Sequence, residues 1–255
     1  MRITLLTQSD PFYIAENINY LINNLPSHSE IVSAVVFNAS PFGKKESFFD
    51  KIKRTYKTFG LRFFLYYGFK YVINKLNPNK NVKYVFKKYN IPVIELTKSV
   101  NSKDSLKRIN IYKPDLLISI AGNQIFKKPL INLAPKGCLN LHTALLPKYR
   151  GLMPSFWVLK NNEKETGVSV FFIDEGIDSG PILVQKRIPI TKDMSQEDLI
   201  KKSKKLGMDT IIEAIDKIKM DNHELIPNPD EEMTYYSFPS RQDVKEFYKA
   251  GKKFF

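Results

Sequence analysis

Two periods of apolar residues run through the first half of this 255-residue chain. Short, continuously apolar runs rich in β-branched residues, at 2–6 (RITLL), 31–37 (IVSAVVF), 92–96 and 116–120, predict strands covered on both faces. After the turn signal Gln8-Ser9-Asp10-Pro11, Ile14, Ile18, Leu21 and Ile22 recur at helical spacing and predict a helix over 12–24. A second helix is predicted over 103–109. Strands that alternate with helices build βαβ units, so the fold class is α/β with a mostly parallel central sheet. Ligands of such sheets bind beyond the carboxyl ends of the strands, which directs attention to the segments after Ile120 and Cys138.

From Pro135 the texture changes. Gly137, Gly151, Gly167, Gly176 and Gly180 punctuate the chain, and strands are predicted among them over 138–142, 166–173 and 182–189. A long helix is predicted over 195–220, with Leu199, Leu206, Ile211, Ile212, Ile215 and Ile218 mostly on one face. Ser195 followed by Asp198 resembles a capping box, with Asp in the usual place of Glu or Gln. Beyond Pro227-Asn228-Pro229 the chain reads as a tail packed on the body through Tyr235, Tyr236 and Phe238. The expected organisation is a main unit over 1–190 with an insertion at 44–88, then a C-terminal helix and packing tail over 191–255.

Charge singles out the insertion. Forty Lys and Arg stand against 26 Asp and Glu, a net +14. Thirteen of the basic residues lie between Lys44 and Lys88, opposed only by Glu46 and Asp50, so this segment carries +11 and the rest of the chain is nearly neutral. Composition is otherwise that of a globular protein, at 43% hydrophobic and 26% charged. A single cysteine, Cys138, leaves no internal disulfide framework or Cys-based zinc cage, and three histidines argue against a His-rich metal site. The opening apolar stretch is too short for a signal peptide and the run at 63–69 too short for a membrane span, so a cytoplasmic location is expected.

The first glycine is Gly43, so the turn after the first strand contains none. A dinucleotide fingerprint or a phosphate-cradling P-loop there is excluded, because both need glycines where backbone approaches phosphate. Asn140 and His142, two apart on a predicted strand, project from the same face near its carboxyl end. The loop 145–151 follows, and Asp174-Glu175-Gly176-Ile177-Asp178-Ser179-Gly180 forms a glycine-broken acidic loop between the next two strands. A carboxylate from Asp174 or Asp178 is placed to orient His142. Amide donor, general base and carboxylate, with no side-chain nucleophile, suit direct attack of a substrate amine on an acyl carbon. By residue type alone such a set is more often a satisfied Asn–His pair beside an ordinary Asp-x-Gly turn.

Longer blocks favour the chemical reading. Residues 137–151 (GCLNLHTALLPKYRG), then Pro154 and Trp157, then 165–169 (ETGVS) and 174–182 (DEGIDSGPI), resemble in order and spacing the signature of the folate-dependent formyltransferases. The resemblance extends over 1–189 and implies a Rossmann-like formyltransferase domain that uses 10-formyltetrahydrofolate as co-substrate and no metal. It places the family's catalytic Asn, His and Asp on Asn140, His142 and Asp178. Asn123, Gln124, Ile125 and Phe126 resemble the stretch bordering the pterin, and Asp174, Glu175, Gly176 and Ile177 its other wall, with recognition expected through backbone groups. Candidate acceptor contacts are Pro147, Lys148, Tyr149 and Arg150, together with Asp10 and Phe12 at the end of the first strand, the last two from sheet geometry.

Members of this family differ in the amine they formylate. A phosphoribosylglycinamide acceptor is disfavoured because Thr7 to Asp10 lacks the expected glycine-rich phosphate loop. The residues after Pro189 are too few for the barrel expected with a methionyl-tRNA acceptor, and the chain opens directly on its first strand, unlike the deformylase branch. A nucleotide-linked amino sugar, as used in surface polysaccharides, is the preferred acceptor. A folate-binding protein without turnover is the non-enzymatic alternative, and a homodimer is compatible with either. The basic segment, with aromatics interleaved among its lysines, has three readings: a tRNA surface, a helix resting on an anionic membrane, or a helical insertion with its aromatics packed on the body or on a second subunit. The last is preferred.

Overall fold

The computed structural model describes residues 1–38, 47–221 and 223–255, so positions 44–46 of the basic segment lie outside the described residues. Strand β1 (Arg2–Gln8) leads into α1 (Ile14–Asn23) and β2 (Glu30–Phe37); three helices, α2 (Phe48–Phe59), α3 (Leu61–Leu76) and α4 (Val82–Lys88), precede the short β3 (Val93–Ile94). Then come α5 (Lys103–Asn110), β4 (Leu116–Ile120), α6 (Lys128–Ile131) and β5 (Cys138–His142). The remainder holds β6 (Arg150–Gly151), α7 (Pro154–Lys160), β7 (Glu165–Phe172), β8 (Ile182–Pro189), α8 (Gln196–Met220), β9 (Tyr235–Tyr236) and α9 (Arg241–Lys249).

Among the described residues seven strands join in the order β3-β2-β1-β4-β5-β7-β8. The first five are parallel; β7 runs antiparallel to β5, and β8 antiparallel to β7. The α/β class with a mostly parallel sheet is therefore observed. Chain order reverses between β1 and β4, the switch point where such sheets open a crevice at their carboxyl edge. Side-chain alternation divides the core. Leu5, Ile118, Leu139 and Leu141 pack with α1, α7 and α8, while Leu6, Leu117 and Cys138 pack with α5 and α6. Asn140 and His142 share the parity of Cys138, so they leave β5 on the α5 and α6 side.

Several boundaries differ from the sequence reading for local reasons. Helix α1 starts at Ile14 rather than at 12, because Asp10 Oδ1 accepts the N–H groups of Phe12 and Tyr13, each at 2.7 Å, and holds a turn ahead of the helix. Strand β3 shrinks to two residues. The reciprocal Ser195–Asp198 capping box forms as expected, and Ser240 with Asp243 forms a second one that opens α9 within the tail. Tyr236 stacks on Tyr149 and on Trp157, with ring centroids 5.3 and 4.7 Å apart, while Tyr235 is half exposed.

The basic insertion is a helical hairpin. Gly60, at φ +84°, separates α2 from α3. The packing expected for its aromatics is present on one face. Phe63 lies 4.9 Å from Phe254, Phe59 5.7 Å from Phe238, and Tyr66 stacks on Phe255 at 3.8 Å. The Tyr66 hydroxyl and the Lys70 ammonium both donate to Glu197 at the start of α8.

Candidate active site

His142 ends β5 with its side chain only 8% exposed. Its Nε2 lies 2.7 Å from the Tyr149 carbonyl oxygen, which can only accept, so Nε2 carries a proton and donates. Its Nδ1 lies 3.5 Å from Asp178 Oδ2. The same carboxylate oxygen accepts the Gly151 N–H at 2.9 Å and so ties the imidazole to the loop after β5. Asp178 sits at φ +50°, a left-handed position that turns its carboxylate back over the strand end. Of the two carboxylates that spacing left open, this is the one brought to the imidazole. Asp174 closes its own turn, its Oδ1 accepting from Gly176 N at 3.0 Å and Ser179 Oγ at 2.6 Å. Asn140 is half-buried two residues before His142 on the same face, in register with Ser119 of β4 and Phe171 of β7.

Residues not singled out from the sequence hold this geometry. Buried Ser169 on β7 accepts from Leu146 N and Gln185 Nε2 and donates to the Ala144 carbonyl, pinning the chain that leaves β5. The tail contributes more. Asn228 Nδ2 donates to the carbonyls of Asp178 and Gly180, at 2.9 and 2.8 Å, and so clips the acidic loop. Thr234 Oγ1 accepts the Tyr149 N–H, and β9 pairs with β6 through Arg150 and Gly151. Gly151 is required there twice over: it sits at φ +96°, and a Cβ would lie 2.3 Å from the Tyr236 carbonyl oxygen. The one sequence signal for this role was the Pro227-Asn228-Pro229 punctuation, which marks a fixed turn but not its partner.

The remaining expected contacts divide by accessibility. In the loop after β4, Asn123 and Phe126 are buried, Gln124 is half-buried and Ile125 is 61% exposed. Asn123 Nδ2 donates to the Asn38 carbonyl, and Phe126 belongs to the core with Phe37, so these side chains shape the loop. Asn101 braces it further, donating to the Ile125 carbonyl and accepting from Lys127 N. In the acidic loop Asp174, Glu175, Gly176 and Ile177 are all exposed. In the loop after β5, Lys148 is exposed and Pro147 half-buried. Tyr149 and Arg150 differ from the acceptor contacts expected of them, because their side chains turn into the protein. The Tyr149 hydroxyl donates to Glu163 at 2.6 Å and burial pushes that phenol up, while the Arg150 guanidinium, 3% exposed, bonds Asp230 and Asn228. Asp10 caps its own turn, and Phe12 meets Tyr67 edge-on at 5.7 Å. Among the described residues no group of three or more His, Cys, Asp or Glu is placed to hold a metal ion.

The formyl transferase family profile matches residues 69–215, more than half of the chain and a span that includes Asn140, His142 and Asp178. The methionyl-tRNA formyltransferase of Kosmotoga olearia is 41% identical over 163 residues, 64% of this chain and 52% of that protein; the Thermotoga maritima enzyme of the same name is 33% identical over 163 residues, again 52% of its length. The chain thus spans about half the length of these curated relatives. Among solved structures, an N-formyltransferase from Helicobacter canadensis with folinic acid and dTDP-3-aminofucose aligns at a TM-score of 0.58 and 19% identity, covering 97% of this chain and 79% of that one. Phosphoribosylglycinamide formyltransferase from Anaplasma phagocytophilum aligns at 0.64 and 14%, covering 92% and 98%. At these identities the likeness is one of fold. With the family profile spanning the strand that carries Asn140 and His142 and the loop that carries Asp178, the chain belongs to the formyl transferase family.

Proposed function

We propose that this chain transfers a formyl group from 10-formyltetrahydrofolate to a primary amine. The observation that carries the reading is the imidazole of His142, held between the Asp178 carboxylate and the Tyr149 carbonyl on the strand face it shares with Asn140. In this role the Asn140 amide donates to the oxyanion that forms when the amine adds to the formyl carbon. His142 exchanges its bond to Tyr149 for the reacting centre, and the proton lost by the attacking amine ends on folate N10, by way of Nε2, as the bond from N10 to the formyl carbon breaks. Asp178 accepts from Nδ1 and supplies the counter-charge once the ring carries a proton on both nitrogens. The folate brings the activated formyl group and leaves as tetrahydrofolate. The loops 123–126 and 174–177 are its proposed walls: each leaves one isoleucine open, Ile125 at 61% and Ile177 at 44% exposure, as apolar surface for a flat ring to cover. The working unit includes the tail as well as 1–190, since Asn228 and Thr234 hold two of its loops.

For the acceptor, a nucleotide-linked amino sugar is the reading we favour. A groove of about 410 Å³ opens beside Phe12 and Tyr13, just past β1, lined also by Glu16 and by Lys70, Lys80, Lys201 and Lys205, of which Lys80 pairs with Glu16 and Lys70 and Lys201 with Glu197. Aromatic faces with ammonium groups suit a base and a diphosphate. Methionyl-tRNA is the second reading, favoured by the names of the sequence relatives. The test is tetrahydrofolate release from 10-formyltetrahydrofolate, by wild type and His142→Gln, with a thymidine-diphosphate amino sugar, phosphoribosylglycinamide and methionyl-tRNA offered in turn. Turnover with the amino sugar alone, lost in the variant, is expected. Turnover with methionyl-tRNA alone would replace the acceptor reading, and release that needs no amine would make the reaction hydrolysis. With no release at all, calorimetry of folate binding separates an untried amine from a pocket without turnover.

A further inference from the structure

The α2–α3 hairpin has a second face that the body does not cover. On α3, Leu61, Leu65, Phe69, Val72, Ile73 and Leu76 fall within an arc of roughly 120° at 100° per residue. All six are exposed, from 49% for Ile73 to 71% for Phe69 and 81% for Leu76. The opposite arc, with Phe63, Tyr67 and Asn74, is the one turned inward. Exposed Arg62 and Lys75 lie within or beside the apolar arc. Across the hairpin, 48–76, seven basic residues are opposed within it by a single acidic one, Asp50, and of the seven Lys70 pairs with Glu197 of the body. An apolar stripe this long, facing outward from a strongly basic hairpin, is a docking surface rather than scattered exposure.

We propose that the outer face of α3 rests on an anionic lipid surface, lying in the interface with its stripe among the upper acyl chains and its bases at the headgroups. Charge selects this occupant. A second copy related by two-fold symmetry would set two faces of the same positive sign against each other. Single-stranded RNA is held by stacking on aromatic rings, whereas five of these six residues are aliphatic. An anionic bilayer accommodates both features, apolar depth and positive charge. Among the described residues no helix is long and apolar enough to cross a membrane, so α3 would lie on the surface.

The test is co-sedimentation of the full chain with vesicles of phosphatidylcholine alone or mixed with phosphatidylglycerol. Binding to the mixed vesicles only is expected, reduced about ten-fold or more in Leu65→Ser/Phe69→Ser and weakened by high salt. Unfolding curves of that variant should match wild type, because both side chains already face solvent; Arg62→Glu/Lys75→Glu, which leaves the stripe intact, should lose the preference for anionic vesicles. The proposal fails if mixed vesicles leave the protein in solution, or if the serine variant binds as wild type does. It fails equally if sedimentation velocity shows a dimer that the serine substitutions dissolve without any vesicle binding. Binding to an RNA oligonucleotide in place of vesicles, unaffected by those substitutions, would also overturn it.

Discussion

His142 Nε2 donates to the Tyr149 carbonyl across 2.7 Å, while its Nδ1 faces Asp178 at 3.5 Å, so both ring nitrogens look at acceptors. The first bond fixes which nitrogen is protonated in the neutral ring, and the second leaves Nδ1 beside a carboxylate. Tyr149 therefore acts through its backbone, which is why its side chain is free to turn into the protein and bond Glu163. Asp178→Asn retains the size of the group but removes the charge. Turnover by this variant is expected to fall about 10²- to 10⁴-fold, with little change in melting temperature. Tetrahydrofolate release and thermal unfolding of the same preparation check both; near-wild-type turnover would remove the carboxylate from the chemistry.

Asn228 holds Asp178 from the far side, by a contact fifty residues away in sequence. Without its two donated hydrogen bonds the acidic loop is free to shift, and small displacements of a positioned group are expensive in rate. For Asn228→Ala, kcat is expected to drop about ten-fold or more, with folate KM changing less. Asn228→Asp, which has the shape but cannot donate, should behave like the alanine variant. A loss confined to stability, with kcat intact, would show that the clip serves folding alone.

Glu197 joins α3 to α8, accepting from Tyr66, Lys70 and Lys201 with its side chain only 5% exposed. Burial pushes this carboxyl up, but the hydrogen bonds from Lys201, Lys70 and Tyr66 outweigh it and hold the group below the usual carboxylate range. A depressed folded pKa contributes stability above the unfolded value and loses it as pH falls through the folded one. Wild type should therefore exceed Glu197→Gln by about 2 to 3 kcal/mol at neutral pH, and the gap should close in acid, below about pH 4. Denaturant unfolding of both proteins from pH 7 to pH 3 gives the comparison. A constant gap would mean that the carboxylate's charge contributes nothing.

What was legible in the sequence is what repeats locally. The β-branched runs at 31–37 and 116–120 became β2 and β4, and the two-residue offset of Asn140 and His142 put them on one face of β5. The carboxylate facing His142 was not decidable from spacing, because Asp174 and Asp178 share one loop; a left-handed φ at Asp178 and a self-closed turn at Asp174 distinguish them in space. The tail's share in the site was hidden for another reason. Asn228, Thr234 and Tyr236 act through isolated side-chain hydrogen bonds and a two-residue strand, which leave no periodicity to read. The outward stripe of α3 was masked as well, since its aliphatic residues are interleaved with the aromatics that pack inward, and only the helical phase separates them.

Cys138 offers a direct probe of the strand that carries the site. It is the chain's one cysteine, 1% exposed, on the face of β5 that it shares with Asn140 and His142. Burial pushes its thiol well above the ordinary range, so reaction with a thiol reagent requires β5 to open. In the native protein at pH 8, labelling is expected to be about 10³-fold slower than in denaturant, or slower still. A folate analogue held at the carboxyl end of β5 should slow it further by binding only the closed form, in proportion to its occupancy. If the analogue bound by calorimetry and yet left the labelling rate unchanged, either its site would lie away from β5, or the opening that exposes Cys138 would leave the site intact. Repeating the measurement in Asn228→Ala separates the two. Loosening the acidic loop should speed labelling only if that loop and β5 open together.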